Sequence, residues 1–349
     1  MIWSAVLLRE AETLLGQRDL QAALAQFQSA EGQGANARYC LYGKWMTHML
    51  GGNFEAAWRE SDRARAWGLD NGAAFWRGED IAGKHIIVRC LHGFGDAVQF
   101  MRFAPRLQMR AKNVIWEVPP ELVELAPCFD GVEHVVSWGG DRISPLWEVQ
   151  TEVTELAFLF RTQLDDLPIA TRYLHLPYGL VRKVSAAMGR PQLPRVGLAW
   201  AAGDWNTSRS IPIALFVDLL RSRDCEFWNL QGGPERKQWD YLPKEISGRS
   251  TEGCRDGILG LAAVISQLDL VITVDTLATH LAGALEVPAW VMLQYSADWR
   301  WMVDRDDSPW YPSLRLFRQR SSGDWQGVVD RIGAELTEWV RAPYRRLAA

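Results

Sequence analysis

The stretch that decides the fold is His85-Ile-Ile-Val-Arg-Cys-Leu-His-Gly-Phe-Gly-Asp96. Its first half is a short apolar run, which is typical of a buried strand, and its second half is a glycine-rich turn that opens an amphipathic pattern. A second stretch, Asp269-Leu-Val-Ile-Thr-Val-Asp-Thr-Leu-Ala-Thr-His280, repeats the same order of strand, polar turn and helix. Such strand–turn–helix units build parallel sheets, so the sequence predicts an α/β fold.

Apolar runs of the same kind continue outward from these two stretches in two series. Strands are predicted at 85–91, 113–118, 132–138, 196–200, 225–230, 270–274 and 289–293. Helices are predicted at 97–110, 120–125, 213–221, 257–267, 276–285 and 325–340. The two series predict two Rossmann-like domains that face a cleft, with a linker near the end of the less regular stretch 139–194.

The chain before residue 79 has a helical pattern and an internal repeat. Asp19-Leu-Gln-Ala-Ala-Leu24 is echoed by Asn53-Phe-Glu-Ala-Ala-Trp58, and the offset from 19 to 53 is 34 residues, the period of a tetratricopeptide unit. Two units are too few to stand alone, so we expect the segment to pack on the neighbouring Rossmann-like part of the chain. The predicted organisation is a short all-α tetratricopeptide-like segment at 1–78 and Rossmann-like domains at 79–190 and 191–349, with a last helix that packs back on the first of these domains.

The composition is that of a globular protein, with 48% hydrophobic and 23% charged residues in a chain of 349. A net charge of −4 gives no reason to expect a nucleic-acid partner. The five cysteines show no metal-site spacing and no disulfide framework, which favours a reducing compartment. No secretion signal or membrane-spanning run is predicted, so the expected location is cytoplasmic, with peripheral membrane contact left open.

Asp96 is the first candidate for chemistry, because it opens a helix directly after a strand. One interpretation is a helix cap, a position that favours Asp. The other is a general base that takes the proton of a hydroxyl. A dinucleotide fingerprint would need a third glycine where the chain has Val98, so a nicotinamide dehydrogenase is not predicted.

Asp275, Thr276 and His280 form the second candidate site. Backbone N–H groups at the start of a helix, together with the Thr276 hydroxyl, suit a pyrophosphate. His280 is one helical turn after Thr276, on the same face, and reaches the same ligand in this interpretation. The alternatives are helix capping and a core histidine.

Arg209 lies in the polar loop 201–210 and is a candidate to neutralise a diphosphate; a surface salt bridge is the alternative. Ligands of open parallel sheets bind beyond the carboxyl ends of the strands, which indicates the loops 92–96, 201–210, 231–236 and 275–280. On this basis the ligand-binding residues further include Gly95, Gly203 and Gln231, and His92 and Gln99 are expected on the side of a second substrate.

These motifs together resemble a known family. The segments that carry the likeness are Gly52-Asn-Phe-Glu55, Gly93-Phe-Gly-Asp-Ala-Val-Gln-Phe100, Arg209-Ser-Ile-Pro212, Thr273-Val-Asp-Thr276, His280-Leu-Ala-Gly283, Asp298-Trp-Arg-Trp301, Asp306-Asp-Ser-Pro-Trp-Tyr-Pro312 and Arg315-Leu-Phe-Arg318. In their order and spacing they resemble bacterial tetratricopeptide-linked glycosyltransferases related to the ADP-heptose:lipopolysaccharide heptosyltransferases, which are family nine glycosyltransferases of GT-B fold.

The resemblance implies an inverting, metal-independent transfer from a nucleotide-diphospho-sugar, with no cofactor. It makes Asp96 the catalytic base and makes Asp275, Thr276 and His280 part of the donor site, with Gly95, Gly203, Arg209 and Gln231. His92 and Gln99 would then face the acceptor, a glycan, lipopolysaccharide or protein that the N-terminal helices help to dock. The domain 79–190 would be the acceptor domain and 191–349 the nucleotide-sugar domain.

Two other functions fit parts of the sequence. A non-catalytic interaction scaffold would use the helical repeats to dock a partner, but the presence of Asp96, Asp275, Thr276 and His280 favours an enzyme. A nucleotide-sugar epimerase would need a site that handles water rather than an acceptor, and would release its product without one.

Overall fold

Four successive helices form the N-terminal part of the chain. The computed structural model describes residues 2–341 except 69–74, 141–145, 168–171, 244–245, 247 and 252. The helices are α1 (Ile2–Gly16), α2 (Leu20–Gly32), α3 (Ala37–Leu50) and α4 (Phe54–Ala66). Asp19 and Asn53, equivalent in the sequence repeat, each cap the next helix through a side-chain oxygen. The repeat therefore marks two equivalent helix starts, and the tetratricopeptide type stays a prediction.

The helical segment packs against both sheets of the molecule. Trp58 Nε1 on α4 donates a hydrogen bond of 2.8 Å to the carbonyl of Thr162, which comes after the first sheet. Arg18 Nε donates one of 2.9 Å to the carbonyl of Tyr295, which comes after a strand of the second sheet. The segment thus does not stand alone.

The first sheet has four parallel strands in the order β3-β2-β1-β4. The strands are β1 (His85–Arg89), β2 (Asn113–Val118), β3 (His134–Ser137) and β4 (Val149–Glu152). The helices around it are α5 (Phe94–Phe100), α6 (Ala104–Gln108), α7 (Leu156–Leu159) and α8 (Tyr178–Met188). Because the strand order reverses beside β1, the turn after β1 opens into a crevice.

The second sheet has six parallel strands in the order β10-β9-β8-β5-β6-β7. The strands are β5 (Arg195–Ala199), β6 (Glu226–Asn229), β7 (Gly248–Ser250), β8 (Leu270–Val274), β9 (Ala289–Leu293) and β10 (Leu314–Arg318). Its helices are α9 (Val217–Leu220), α10 (Gly257–Ile265), α11 (Leu277–Ala284) and α12 (Trp325–Arg341). The order reverses between β8 and β5, so the loops after these two strands flank the crevice.

One continuous apolar core joins the helical segment, the first sheet and the inner face of the second sheet. It runs from Phe54 on α4 through Val88 on β1 to Leu281 on α11 and Val291 on β9, all fully buried. A separate cluster fills the outer face of the second sheet beneath α12. The two halves are therefore packed on each other through helices, with α5 against α11 and α8 against α10.

The structure confirms the α/β fold with parallel sheets and differs from the predicted elements in several places. The helix predicted at 97–110 is α5 and α6 separated by a 3₁₀ turn at Met101–Phe103, where Pro105 prevents a continuous hydrogen-bond ladder. Three strands and two helices lie where none was predicted, namely β4, β7, β10, α7 and α8. Polar or charged side chains interrupt the apolar runs of these strands, which hides them in the sequence.

The last helix packs on the second sheet. Val328, Val329 and Ile332 of α12 are buried with Phe317 of β10 in the outer cluster. The prediction that the chain end packs back on the first Rossmann-like domain falls partly on residues 342–349, which lie outside the described residues. As far as Arg341, where the described residues end, α12 packs on the second sheet instead.

Candidate active site

A cavity of about 630 Å³ lies at the carboxyl ends of the strands, where the two sheets face each other. It brings together eight residues that the sequence indicated: His92, Gly95, Asp96, Gly203, Arg209, Asp275, Thr276 and His280. It is also lined by Gly93, Phe94, Ala202, Leu277, Asp298 and Arg300. Residues from both sheets thus form a single site.

Asp96 sits in the first turn of α5 with both carboxylate oxygens engaged. Oδ2 accepts a hydrogen bond of 3.0 Å from the N–H of Gly93, and Oδ1 accepts one of 2.7 Å from Nη2 of Arg300. Burial acts to raise the pKa of Asp96, but the Arg300 guanidinium outweighs it, so the pKa lies below its usual range. Asp96 is therefore both a helix cap and an ionised carboxylate facing the cavity.

Arg300 is the functional residue that sequence reasoning missed. Besides Asp96, its guanidinium contacts Asp298 through Nε at 2.8 Å and lies in the field of Asp275. Burial opposes its charge, but these three carboxylates raise its pKa above the ordinary value. The signal was present in Asp298-Trp-Arg-Trp301, yet nothing in that loop shows that it folds back onto Asp96, which is 204 residues earlier in the chain.

The start of α11 presents backbone N–H groups to the cavity. Thr276, the N-cap residue of α11, has an extended backbone, and its side chain makes no capping hydrogen bond. Arg209 lies beside this turn, where its Nη1 donates a hydrogen bond of 3.1 Å to the carbonyl of Asp275 and lies 3.7 Å from Oδ2 of the same residue. Burial raises the pKa of Asp275, against the opposing pull of Arg300 and Arg209. The helix start and Arg209 together place hydrogen-bond donors at the cavity, an arrangement that suits an anion.

His280 is buried on α11, only 2% exposed, with its ring between the two sheets. Nδ1 lies 2.9 Å from the hydroxyl of Tyr311, and Nε2 lies 3.9 Å from Oδ1 of Asp275. Burial, reinforced by the charge of Arg300, lowers the pKa of His280 to about 3. The imidazole is therefore neutral at physiological pH.

The lowered pKa of His280 predicts a loss of stability in mild acid. Below its ordinary pKa of about 6.5, the unfolded chain binds a proton at this histidine that the folded chain does not bind, so the free energy of unfolding falls as pH decreases toward about 3. The loss is roughly 1 kcal/mol at about pH 5.5. Urea unfolding of the His280→Gln variant should lack this component.

The matched control is His175→Gln. His175 is exposed and contacts Asp130 at 3.3 Å on the surface. This variant compares the loss of a surface histidine with the loss of the buried one. An unchanged slope in His280→Gln would contradict the assignment.

Gly95 lets the helices α5 and α11 approach each other at this site. A Cβ at Gly95 on α5 would lie 2.5 Å from Cδ2 of His280, so only glycine allows α5 to meet α11 this closely. Gly203 has open space around it. His92 is largely exposed at the rim, with Nε2 3.9 Å from Oε2 of Glu152.

Gln99 and Gln231 do not line the cavity, which corrects their predicted direct roles. Gln99 is fully buried on α5. Gln231 is also buried; its Oε1 accepts hydrogen bonds from the backbone N–H groups of Trp200 and Ala201 at 3.0 and 2.9 Å. Gln231 thus holds the loop after β5 in place rather than touching a ligand.

Neither a metal-binding cluster nor a membrane-spanning helix is found in the described part of the chain. Over residues 2–341, apart from the gaps given above, no group of three or more His, Cys, Asp or Glu side chains is placed to hold a metal ion. Within the same ranges, the helices are all too short or too polar to cross a bilayer.

Comparison with known proteins relates this geometry to one fold family. No family model matches the chain. Protein FlbA of Caulobacter vibrioides is 23% identical over 295 residues, 76% of this chain and 48% of that protein, so the chain spans about half the length of the curated relative that it matches.

Two solved structures share the fold. The ADP-heptose lipopolysaccharide heptosyltransferase II of E. coli aligns with a TM-score of 0.55 and 13% identity over 74% of this chain and 98% of its own. A family 9 glycosyl transferase from Veillonella parvula aligns with a TM-score of 0.50 and 11% identity over 77% and 92%. The chain therefore has the heptosyltransferase-like fold of the family nine glycosyltransferases.

Proposed function

We propose that this protein is an inverting, metal-independent glycosyltransferase that moves a sugar from a nucleotide-diphospho-sugar to an acceptor hydroxyl. The observation that carries the proposal is the arrangement in one cavity of an ionised Asp96 on the first sheet and an anion-binding surface on the second. That surface is the start of α11 with Arg209 beside it. A base and a leaving-group site that face each other are what an in-line displacement at a sugar carbon requires.

In this mechanism the acceptor hydroxyl lies against Asp96 and the donor diphosphate against Thr276 and Arg209. The acceptor oxygen bonds to the anomeric carbon, its proton passes to the Asp96 carboxylate, and the bond from that carbon to the diphosphate oxygen breaks. The lowered pKa of Asp96 makes it a weak base, so proton transfer accompanies bond formation, when the hydroxyl has become acidic. The N–H groups of α11 and the Arg209 guanidinium stabilise the charge on the departing diphosphate.

The acceptor side is assigned to the region around His92. A second cavity of about 400 Å³ shares His92 with the site and is lined on its other side by Trp45 of α3 and by Ser61 and Ala64 of α4. The N-terminal helices thus form part of the approach to Asp96. This supports an acceptor, a glycan, lipopolysaccharide or protein, that is held partly by these helices.

Nucleotide binding tests the proposal directly. Purified protein is heated with ADP, UDP, GDP, dTDP or CMP and with their sugar conjugates, and the melting temperature is recorded. One nucleotide class is expected to raise it, because a ligand present at about 100 times its Kd stabilises the folded state by about 2.7 kcal/mol. ADP-sugars come first, because the E. coli neighbour is named for ADP-heptose.

Arg209→Gln should strongly reduce the rise in melting temperature, since it removes the cation beside the α11 start. Arg106→Gln is the control, because Arg106 does not line the cavity. Its guanidinium contacts Asp166 at 2.9 Å. If no nucleotide at millimolar concentration raises the melting temperature, the transferase proposal is wrong and the interaction scaffold is favoured.

A further inference from the structure

A chain of buried hydrogen bonds leads from Arg102 to His280. Arg102 Nη2 donates to the hydroxyl of Tyr173 at 3.1 Å. That hydroxyl lies 3.4 Å from the hydroxyl of Tyr311, which in turn lies 2.9 Å from Nδ1 of His280. All four side chains are buried, and none but His280 lines the cavity.

Arg102 is a buried guanidinium that faces neutral oxygens. It donates to the carbonyls of Gln99 and Trp310 at 2.8 and 2.6 Å and lies over the rings of Tyr173 and Tyr311. In the part of the chain that the structure describes, it has no carboxylate partner. Since a guanidinium keeps its charge and is only a donor, the hydroxyl of Tyr173 must accept from it.

A consistent set of directions for the remaining bonds follows when each hydroxyl proton is given to its nearest acceptor. Tyr173 accepts from Arg102, and the nearest acceptor for its own proton is the carbonyl of Val98 at 3.2 Å. The nearest acceptor for the proton of Tyr311 is then Nδ1 of His280 at 2.9 Å. A neutral imidazole that accepts at Nδ1 carries its proton on Nε2.

Asp275 favours the same tautomer. Its Oδ1 lies 3.9 Å from Nε2 of His280, so an N–H there is attracted to the carboxylate, whereas a lone pair would be repelled by it. Two independent neighbours, one on each nitrogen of the ring, thus select one proton position. Because the pKa of His280 is lowered, the imidazole stays neutral and carries only this one proton.

We propose that Tyr311, Tyr173 and Arg102 are positioning residues that hold His280 as the neutral Nε2–H tautomer, so that it presents a hydrogen-bond donor to the cavity. The assignment of the ligand rests on the proposed transferase function: the Nε2–H group donates to an oxygen of the diphospho-sugar bound at the start of α11. A neutral donor stabilises charge on that oxygen without giving up its proton to the departing diphosphate. The diphosphate then leaves as an anion, and the proton of the acceptor hydroxyl passes to Asp96.

The tautomer is tested on the full chain by long-range proton–nitrogen NMR of ¹⁵N-labelled protein at about pH 7, with the His280 signals identified by their loss in His280→Gln. The expected pattern is an unprotonated, hydrogen-bonded Nδ1 and a protonated Nε2. In Tyr311→Phe, both nitrogen signals should shift toward each other as the two tautomers mix. Tyr295→Phe is the control, because its hydroxyl bonds to the Gln17 carbonyl at 3.3 Å and is not part of the hydrogen-bond chain that leads to His280.

A protonated Nδ1 in the wild type would overturn the inference, and so would His280 signals that stay the same in Tyr311→Phe. The wild-type measurement suffices if Tyr311→Phe does not fold. Addition of the nucleotide that raises the melting temperature should shift the Nε2 signal. If the tautomer is as expected and no nucleotide shifts Nε2, the positioning role stands and the diphosphate as its ligand is wrong.

Discussion

Asp96→Asn is expected to reduce sugar transfer by about 10²- to 10⁴-fold, the usual contribution of a general base. The amide keeps the shape of the side chain and an oxygen that can accept from Gly93 or Arg300, but it cannot take a proton. Arg300 retains Asp298 at 2.8 Å, so the fold should be preserved. The measurement is release of nucleoside diphosphate from the donor that the melting experiment selects, together with the donor-induced rise in melting temperature, which should remain.

Asp298→Asn separates base catalysis from a general charge effect. It removes a carboxylate from the same guanidinium and from the same cavity without touching Asp96. Transfer should fall far less than in Asp96→Asn. Equal losses in both variants would assign Asp96 a purely electrostatic role through Arg300, and retained transfer in Asp96→Asn would refute the base assignment.

Arg300→Met is expected to destabilise the fold by about 3 to 5 kcal/mol, the cost of removing one partner from a buried ion pair. The Arg300 side chain is only 12% exposed and is shared by Asp96, Asp298 and Asp275. Without it, three carboxylates of like charge are left close together in a partly desolvated site. Urea unfolding at neutral pH measures the loss, which should shrink in acid as these carboxyls become protonated.

Arg305→Met is a matched control five residues further along the chain. Arg305 also pairs with an aspartate, Asp307, at 2.6 Å, but Asp307 is 65% exposed. An exposed pair of this kind contributes about 0 to 1 kcal/mol, so this variant should remain close to wild type. Similar losses in the two variants would show that Arg300 has no special place in the site.

The sequence predicted the fold where local pattern alone determines structure. The strands 113–118, 270–274 and 289–293 begin and end where they were predicted, and the last two are short, mostly apolar runs that are buried throughout. β4 and β10 were not found, since Gln150, Glu152, Arg315 and Arg318 break the apolar pattern. Their burial comes from neighbouring strands, which a local pattern does not contain.

The candidate site was predicted where a residue comes directly after a strand. Asp275 and Thr276 come directly after β8, Asp96 begins the helix that follows β1, and Arg209 lies in the loop that follows β5; all four meet in one cavity. Gln99 was misplaced because its burial depends on the elements packed against α5, which the local sequence does not contain. Arg300 was missed because its importance depends on contacts between distant parts of the chain.

The helical segment has a mechanical consequence for the whole molecule. Trp58 of this segment is hydrogen-bonded to Thr162, which follows the first sheet, and Arg18 is hydrogen-bonded to Tyr295 in the loop after β9. The segment therefore bridges the two α/β halves at places other than the α5–α11 contact. Two bodies joined at two separated places have fewer ways to rotate about each other than two bodies joined by one hinge. Substrate exchange in the proposed transferase would then rely on movement of the loops around the cavity, with little rotation of one half against the other.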